Sequence, residues 1–502
     1  MNFRHQNSKI SVIFCFTLLM FVFSLAYINC TSRTTKIIPI TNISLNEQEI
    51  TLLKGKTKQL KASTTPENAT NQEVIWDSSN IQVASISEDG VVTALSEGQA
   101  TITVSSLDGN HTAECLVTVL PNMIIENLPQ WQQAINQISQ DHENMIFNIT
   151  IEDDFSIPAT DENSLTFSER NGIIINLLGN NSLSLDINST GNLIRIGNAQ
   201  TLTLIDIGLK GHENNITSLV NVSGENTTLN MQGYSSISEN TSNQNGGGVY
   251  VNNAILNMTD HATINHNAVT GSRYGGGIYA YSANVTLSGI ATVANNSAQQ
   301  GGGIWSAMWG FLSMTDCATV SYNTARSSGG GVDVSSVYTN FTMSGTSSIK
   351  YNTSRSGGGA SIGFSTVLMT DYATISNNLA IEYNYDGGNG GGVYYTGTNF
   401  TMQDNASIFQ NTAEARGGGI CCNTTSSVFI SGNASIYENS AINGGGIYGL
   451  PILSDNSTIY GNSATNGGGV LVWGASFAQE FIFEMNDNSS IYGNNAIKGG
   501  GV

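Results

Sequence analysis

Aspartates recur through the second half of the chain, and their regular spacing could support chemistry. The row consists of Asp260, Asp316, Asp371, Asp404, Asp455 and Asp487. Stacked carboxylates can hold Ca²⁺, and paired carboxylates can cleave glycosidic bonds. Asp371 with Asp404, and Asp455 with Asp487, come from consecutive repeats. These four residues are therefore the calcium candidates of the sequence.

Turn chemistry explains the same row without a metal or a reaction. Other repeats have Gly at the equivalent position, and both residue types are favoured in turns. Lys and Arg are few in this half and none recurs beside the row. The histidines, among them His261 and His266, have no metal-ligand spacing, and the sequence has no CxxC motif. We predict turn residues here, with no catalytic group, no bound metal and no cofactor.

Gly triplets set the repeat that carries this row. A triplet followed by Ile, Val or Ala occurs ten times, at intervals of 23 to 33 residues. The triplets begin at Gly246, Gly275, Gly301, Gly329, Gly357, Gly390, Gly417, Gly444, Gly467 and Gly499. A period in this range is typical of stacked repeats. Gly suits a corner where the backbone turns sharply with positive φ.

Two further positions recur in each unit. A Met, Leu or Ile precedes the Asp or Gly turn residue by two, and a Ser/Thr-Ile/Val-x-x-Asn segment follows. The asparagines are Asn240, Asn267, Asn296, Asn323, Asn352, Asn378, Asn411, Asn439, Asn462 and Asn494. We expect them to stack as an amide ladder. With about three short strands per unit, the pattern predicts an all-β chain containing a long right-handed parallel β-helix of the pectin-lyase-like type.

The repeats resemble those of the chlamydial polymorphic outer-membrane proteins, which carry GGA-I/L/V and FxxN tetrapeptides. In this chain Gly-Gly-Gly-Ile/Val replaces the first tetrapeptide, and Ile-x-x-Asn replaces most copies of the second. The resemblance covers about half of the chain and implies an adhesin-like protein of the cell surface or outer membrane. The C-terminal autotransporter barrel of that family has no counterpart here. The tenth triplet opens a further coil, so we expect a truncated or externally capped chain with a poorly ordered last coil.

Residues 39–120 have a different pattern, with seven or so short β-like runs separated by turn signals. Examples are Pro66-Glu67-Asn68-Ala69-Thr70, Trp76-Asp77-Ser78-Ser79 and Gly98-Gln99-Ala100-Thr101-Ile102. This segment resembles the group 2 bacterial Ig-like domain. The resemblance implies an extracellular β-sandwich that serves as a spacer or adhesion module and has no catalytic residues. We expect Trp76 to be the buried anchor between its sheets.

Residues 121–145 connect the two regions. From Leu128 to Ile138 the apolar residues Trp131, Ala134, Ile135 and Ile138 fall on one helical face. An open solenoid end has unpaired edges that must be covered, so this helix is predicted to cap the solenoid. Residues 146–240 form the first, less regular coils, and regular repeats occupy 241–502.

Residues 1–30 have the pattern of an export signal. A basic start containing Arg4 and Lys9 precedes an almost wholly apolar run at 11–28. The run permits cleavage after Ala26, lipidation of Cys30 as a lipoprotein, or an uncleaved membrane anchor. All three alternatives export the chain, to the cell surface, the outer membrane or the extracellular space. Cys115 and Cys317 have no apparent partner and are expected to be buried.

Charge limits the class of partner. The 502 residues carry a net charge of -20, which disfavours nucleic acid and anionic membrane surfaces. Contact with a membrane would come only through the N-terminal signal or a lipid anchor. The sequence favours a noncatalytic adhesin-like or structural protein that binds a host or environmental protein or polysaccharide, through its flat sides and through loops 381–389 and 472–484. A β-helical polysaccharide lyase or glycoside hydrolase is the alternative hypothesis, and a structural surface-layer component is a third.

Overall fold

The computed structural model describes residues 37–107, 111–120, 122–140, 146–160, 165, 172–197, 199–335, 339–383, 386–397, 399–422, 426–472 and 483–502. The predicted leader, including Cys30, lies outside these residues, and so does most of loop 472–484. The chain divides into two compact units, Met1–Val119 and Leu120–Val502. In the described part of the chain, no helix is both long and apolar enough to cross a membrane.

The first unit is an Ig-like β-structure made of short alternating strands. Its strands are Asn42–Leu45, Glu49–Leu53, Thr57–Gln59, Ala62–Thr65, Val74–Ser78, Ala84–Ile86, Val91–Ala94, Gly98–Ser106 and Thr112–Leu120. They form a four-stranded sheet, a three-stranded sheet and a two-stranded ribbon. Val92, Ile102 and Cys115 lie in its core. Trp76 is only half-buried, at the edge of this core, so the expectation of a buried anchor was wrong: its strand alternates half-buried with exposed residues.

The second unit is a parallel β-solenoid. Each regular coil contributes one strand to each of four sheets, numbered here in chain order. Sheet 1 contains Asn122–Ile125, Ile146–Ile151, Ile174–Leu178, Thr201–Ile205, Thr228–Gln232, Ile255–Met258, Asn284–Leu287, Phe311–Met314, Asn340–Met343, Thr366–Met369, Asn399–Met402, Ser427–Ile430, Leu450–Leu453 and Glu484–Met485. Sheet 2 contains Phe155–Ile157, Ser182–Leu185, Gly208–Lys210, Ser236–Ser238, Thr263–Asn265, Thr292–Ala294, Thr319–Ser321, Ser348–Lys350, Thr374–Ser376, Ser407–Phe409, Ser435–Tyr437, Thr458–Tyr460 and Ser490–Tyr492.

The other two sheets lie on either side of the Gly triplets. Sheet 3 contains Thr241–Ser242, Ala268–Val269, Ser297–Gln300, Thr324–Ser328, Thr353–Ser354, Leu379–Ala380, Thr412–Ala413, Ser440–Asn443, Ser463–Asn466 and Asn495–Lys498. Sheet 4 contains Ile194–Ile196, Val220–Ser223, Val249–Asn252, Ile278–Tyr281, Ile304–Ala307, Val332–Val334, Ala360–Ile362, Val393–Tyr395, Ile420–Cys422, Ile447–Tyr448 and Val470–Leu471. Loop 381–389 contains a small antiparallel hairpin, Glu382–Tyr383 with Asp386–Gly387.

Apolar side chains of every coil fill one continuous core. Met314 of sheet 1 is in register with Met343, and Val320 of sheet 2 with Ile349, all fully buried. These are the recurring apolar positions seen in the sequence. The all-β fold, with its Ig-like unit and parallel solenoid, is confirmed, whereas the right-handed, pectin-lyase-like form stays a prediction. The estimate of three strands per coil was wrong, because the short sheet 3 strands follow a turn directly and have few apolar residues.

The helix Leu128–Gln140 packs onto the start of the solenoid. Trp131, Ala134, Ile135 and Ile138 are buried in the solenoid core, as the 3.6-residue period predicted. Asn127 caps the first turn, because its Oδ1 accepts the Gln130 N–H at 3.2 Å. The helix therefore covers apolar surface at this end of the core.

Candidate binding groove

The Asp row lies at the turns that follow sheet 1. Its six aspartates have φ between 52° and 57°, and the glycines at equivalent turns have φ between 60° and 64°. Asp is among the non-Gly residues that tolerate this left-handed conformation. Asp206, in an earlier coil, has the same φ and was missed by the sequence reasoning.

The carboxylates of the row cap backbone N–H groups of the preceding coil. Asp455 Oδ2 accepts the Gly432 N–H at 2.9 Å, and Asp487 Oδ2 accepts the Asp455 N–H at 3.1 Å. Asp404 accepts hydrogen bonds from the Thr370 hydroxyl and from the Asp371 N–H, and these bonds lower its pKa. No group of three acidic, His or Cys side chains in the described residues could hold a metal ion. The calcium assignment for Asp371, Asp404, Asp455 and Asp487 remains a prediction, and the geometry is that of turn capping.

The recurring asparagines form a buried ladder at the corner between sheets 2 and 3. We call these ten recurring asparagines, the first of which is Asn240 and the last Asn494, the Asn ladder. Each backbone N–H donates to the side-chain Oδ1 of the next member, at distances of 2.8 to 3.2 Å. Side-chain amides also donate to the next amide oxygen and to a carbonyl of the preceding coil, as Asn323 does to Asn352 and Val293. The buried Asn215 extends this ladder by one coil.

The Gly triplets form the corner between sheets 3 and 4, which we call the glycine corner. The first Gly of every triplet has φ between 59° and 75°. The middle Gly leaves no room for a side chain: a Cβ on Gly276 would lie 2.3 Å from the carbonyl oxygen of Gly302 in the next coil. This corner is therefore bare backbone, flanked by side chains on both sides.

Two columns of side chains border the glycine corner. The leading column contains the residue before each triplet: Asn245, Tyr274, Gln300, Ser328, Ser356, Asn389, Arg416, Asn443, Asn466 and Lys498. The outer column contains the fourth residue after each first Gly, in register along sheet 4: Tyr250, Tyr279, Trp305, Asp333, Ser361, Tyr394, Cys421, Tyr448 and Leu471. The sequence reasoning missed both columns, although counting from each triplet finds them.

Three aromatic rings stack in the outer column. The ring centroids of Tyr250 and Tyr279 are 5.1 Å apart, and those of Tyr279 and Trp305 are 4.7 Å apart. Tyr274 of the leading column stacks on Trp305 at 5.3 Å. Burial raises the pKa of Tyr279 to about 12, so this phenol stays protonated at neutral pH.

Asp333 is the one carboxylate in the two columns. Its side chain is fully buried next to Trp305 and accepts hydrogen bonds from the hydroxyls of Ser328 and Ser335. Burial raises its pKa to about 6, although both hydroxyls act in the opposite direction. A buried carboxyl with a raised pKa marks a candidate functional residue. Glycosidase chemistry, however, requires two carboxylates.

Two grooves open on the glycine corner. The first has a volume of about 630 Å³ and is lined by Asn192, Thr217, Ser218, Asn221, Asn243, Gln244, Asn245, Tyr250 and Arg273. We call it the amide groove. The second has a volume of about 520 Å³ and lies near Arg416, Tyr448 and Lys498. The two grooves share a combination of Tyr, Asn and a basic side chain.

A second aromatic row lies outside sheet 2. Phe409, Tyr437, Tyr460 and Tyr492 stack with centroid distances of 4.9 to 5.3 Å. Both faces of Tyr437 and of Tyr460 are covered by neighbouring rings, so neither ring can take a ligand on its face. This row stabilises the sheet and is a weaker binding candidate than the glycine corner.

The cysteines have different environments. Cys115 is buried in the Ig-like core, as expected. Cys317 is exposed, so the expectation of burial was wrong. It follows Asp316 in a solvent-facing turn, where alternation no longer directs side chains inward. Cys421 is in the outer column and Cys422 in the core, and all four described cysteines are free.

Comparisons with known proteins identify the first unit. Residues 39–117 match the model of the bacterial Ig-like domain (group 2), so this module is confirmed. Such domains typically occur in extracellular bacterial proteins. The resemblance of the repeats to chlamydial polymorphic outer-membrane proteins is not confirmed and stays a prediction.

Several curated proteins are similar to this chain over short stretches. An uncharacterised protein of Clostridium acetobutylicum is 40% identical over 90 residues, 17% of this chain and 9% of that protein. An alpha-L-arabinofuranosidase of Bifidobacterium longum is 36% identical over 84 residues, 17% of this chain and 8% of the enzyme. The kappa-carrageenase of Pseudoalteromonas carrageenovora is 39% identical over 69 residues, which are 14% of this chain and 17% of the enzyme. The chain thus spans less than a fifth of the length of each of these three relatives, and the two enzymes match only its Ig-like region.

Proposed function

We propose that this chain is an exported binding protein of the cell surface or extracellular space, with no catalytic activity of its own. The glycine corner carries the proposal. It presents aromatic, amide and guanidinium groups in two columns along the solenoid, beside a backbone without side chains. Such a surface suits an extended ligand, a polysaccharide or a protein segment, of host or environmental origin. The Ig-like module supports an extracellular setting.

The absence of a second carboxylate beside Asp333 in the two columns supports binding without cleavage. Neighbouring positions of the outer column are Trp305 and Ser361. A general acid would have no partner there to act as base or nucleophile. The raised pKa of Asp333 instead follows from burial between coils.

A glycoside hydrolase or polysaccharide lyase is the second candidate. The relatives named as an arabinofuranosidase and a carrageenase favour it, and Asp333 would then be the acid. Incubation of the purified chain with neutral and acidic polysaccharides, with and without Ca²⁺, separates the two functions. We expect retention on a polymer with no new reducing ends and no unsaturated products. Either product would contradict the noncatalytic proposal.

Export and attachment are further parts of the proposal. Mass spectrometry of the mature N-terminus distinguishes the three alternatives for residues 1–30. A diacylglyceryl Cys30 would identify a lipoprotein, and a start at Tyr27 would identify ordinary secretion. An intact N-terminus in the membrane fraction would identify an uncleaved anchor, whereas an intact N-terminus in the cytoplasm would contradict export.

A further inference from the structure

We propose that the amide groove binds a neutral oligosaccharide, with one sugar ring packed on the face of Tyr250. The inference rests on the proposed binding function and specifies its ligand class. The groove volume of about 630 Å³ lies in the range of small-molecule sites, which is roughly 300 to 1,000 Å³. It can therefore hold a few sugar rings.

Tyr250 is the terminal ring of the outer-column stack. Tyr279 covers one of its faces, with the rings 14° from parallel. On the other side its neighbour in sheet 4 is Asn221, which carries no ring. Tyr250 and Asn221 both line the groove. The terminal ring thus offers an apolar face inside a polar groove, as a sugar ring with one apolar face requires.

The remaining lining consists largely of neutral amides and hydroxyls. In the described part of the chain, the exposed side chains of Asn243 and Gln244 have no hydrogen-bond partner. Asn221 uses its Oδ1 to accept the Ser223 hydroxyl at 2.7 Å, which leaves its amide N–H groups available. Amides donate and accept hydrogen bonds, and sugar hydroxyls do the same. This match favours an oligosaccharide over an apolar ligand.

Charge favours a neutral sugar. Arg273 is the basic side chain of the groove, and it forms no ion pair with any carboxylate of the described residues. Its guanidinium can donate several hydrogen bonds to hydroxyl or ring oxygens. One cation does not offset the repulsion of a polyanion by a chain of net charge -20.

The second groove lacks the same free ring. Arg416 lies over the Tyr448 ring, with its guanidinium carbon 5.3 Å from the ring centroid. A cation on the ring face competes with a sugar for that face. The amide groove is therefore the better sugar site.

Isothermal titration calorimetry on the full chain tests the inference. The probes are neutral tri- and tetrasaccharides of glucose, galactose, mannose and arabinose, with uronate and sulfated oligosaccharides as separate arms. We expect binding of at least one neutral probe. Tyr250→Ala should weaken it about tenfold, which corresponds to the loss of about 1.4 kcal/mol of ring contact. Tyr250→Phe keeps the ring and should bind within about twofold of the original chain.

Tyr234→Ala is the matched control. Tyr234, like the half-buried Tyr250, is stacked on one neighbouring ring, that of His261, but it is exposed and does not line the groove. Its substitution should leave affinity unchanged. Circular dichroism melting of each variant separates lost binding from lost folding, and Tyr250→Phe provides the test if Tyr250→Ala does not fold.

Each contrary result identifies what fails. Neutral binding that survives Tyr250→Ala, or binding of charged probes alone, overturns the inference while the binding function stands. Failure of every oligosaccharide also overturns it and leaves a protein ligand for the proposed function. Conversion of a probe to products would instead contradict the proposed noncatalytic function itself.

Discussion

The Asn ladder and the glycine corner are two corners of the solenoid, and polar groups have opposite environments in them. At the Asn ladder, buried amides bond to one another and to backbone groups, so little hydrogen-bonding capacity remains. At the glycine corner, the turn carries no side chains, and some polar side chains beside it, such as those of Asn243, Gln244 and Arg416, stay exposed. Repetition alone therefore does not reveal function. A structural corner uses its hydrogen-bonding groups within the protein, whereas a binding corner leaves them available to a ligand.

Breaking the ladder in its middle should produce the largest effect. Asn352→Ala removes the acceptor of the Asn323 N–H at 2.8 Å and the donor to the Val320 carbonyl at 3.0 Å. Each buried group left without a partner costs about 1–3 kcal/mol, so we expect a loss of about 4 kcal/mol. Urea denaturation followed by circular dichroism measures it. A loss below about 1 kcal/mol would contradict the structural role of the ladder.

Crowding the glycine corner should cost at least about 3 kcal/mol. In Gly276→Ala the new Cβ would meet backbone atoms, the Gly302 carbonyl oxygen at 2.3 Å and the Ser297 nitrogen at 2.6 Å. Backbone cannot move aside as a flexible side chain can. Gly271→Ala is the control, since its φ is +70° but no atom lies within 4 Å, so only about 1 kcal/mol should be lost. Equal melting temperatures for the two variants would refute the close-packing argument.

The buried carboxyl of the outer column should give a pH dependence. The folded-state pKa of Asp333 is about 6, above its usual 3.8, so folding favours the protonated form. Its stabilising contribution is complete below pH 3.8 and is lost as the pH rises through 6, by about 3 kcal/mol. Asp333→Asn should remove this decline and raise stability at pH 7. Melting temperatures of both proteins from pH 4 to 8 measure it.

Asp404 provides the control of opposite sign. Hydrogen bonds from Thr370 and the Asp371 N–H lower its pKa, so its contribution is present above its usual pKa and is lost as the pH falls through the lowered value. Asp404→Asn should therefore lower stability at neutral pH and have no effect at acid pH, where Asp404 is already protonated. A decline between pH 4 and 6 that persists in Asp333→Asn would assign the titration to another group.

Removing a free amide at the binding corner should have the smallest effect on folding. Asn243 is exposed, and its side chain has no hydrogen-bond partner among the described residues. We expect Asn243→Ala to change the free energy of unfolding by less than about 0.5 kcal/mol. Oligosaccharide affinity should fall about fivefold, since one hydrogen bond contributes roughly 1 kcal/mol. A loss of stability comparable to that of Asn352→Ala would remove the distinction between the two corners.

Local pattern was enough to predict most of the fold. The apolar face of Trp131, Ala134, Ile135 and Ile138 predicted the helix, because a helix brings residues three and four apart together. The Met314 and Val320 positions predicted the core, because strands alternate. Prediction failed at two positions: Cys317 lies in a turn, where alternation stops, and is exposed, and Trp76 lies in an alternating strand at the edge of the Ig-like core.

The sequence by itself determined the repeat, the corner positions and the residues that face the core, since these depend on backbone preferences and on periods within one coil. It also contained the outer column, four residues after each first Gly, but gave no reason to single it out. Only the tertiary structure decided that Tyr250, Tyr279 and Trp305 stack and that Tyr250 ends the stack in an open groove. Those contacts join residues 26 and 29 positions apart, so they depend on how successive coils superimpose.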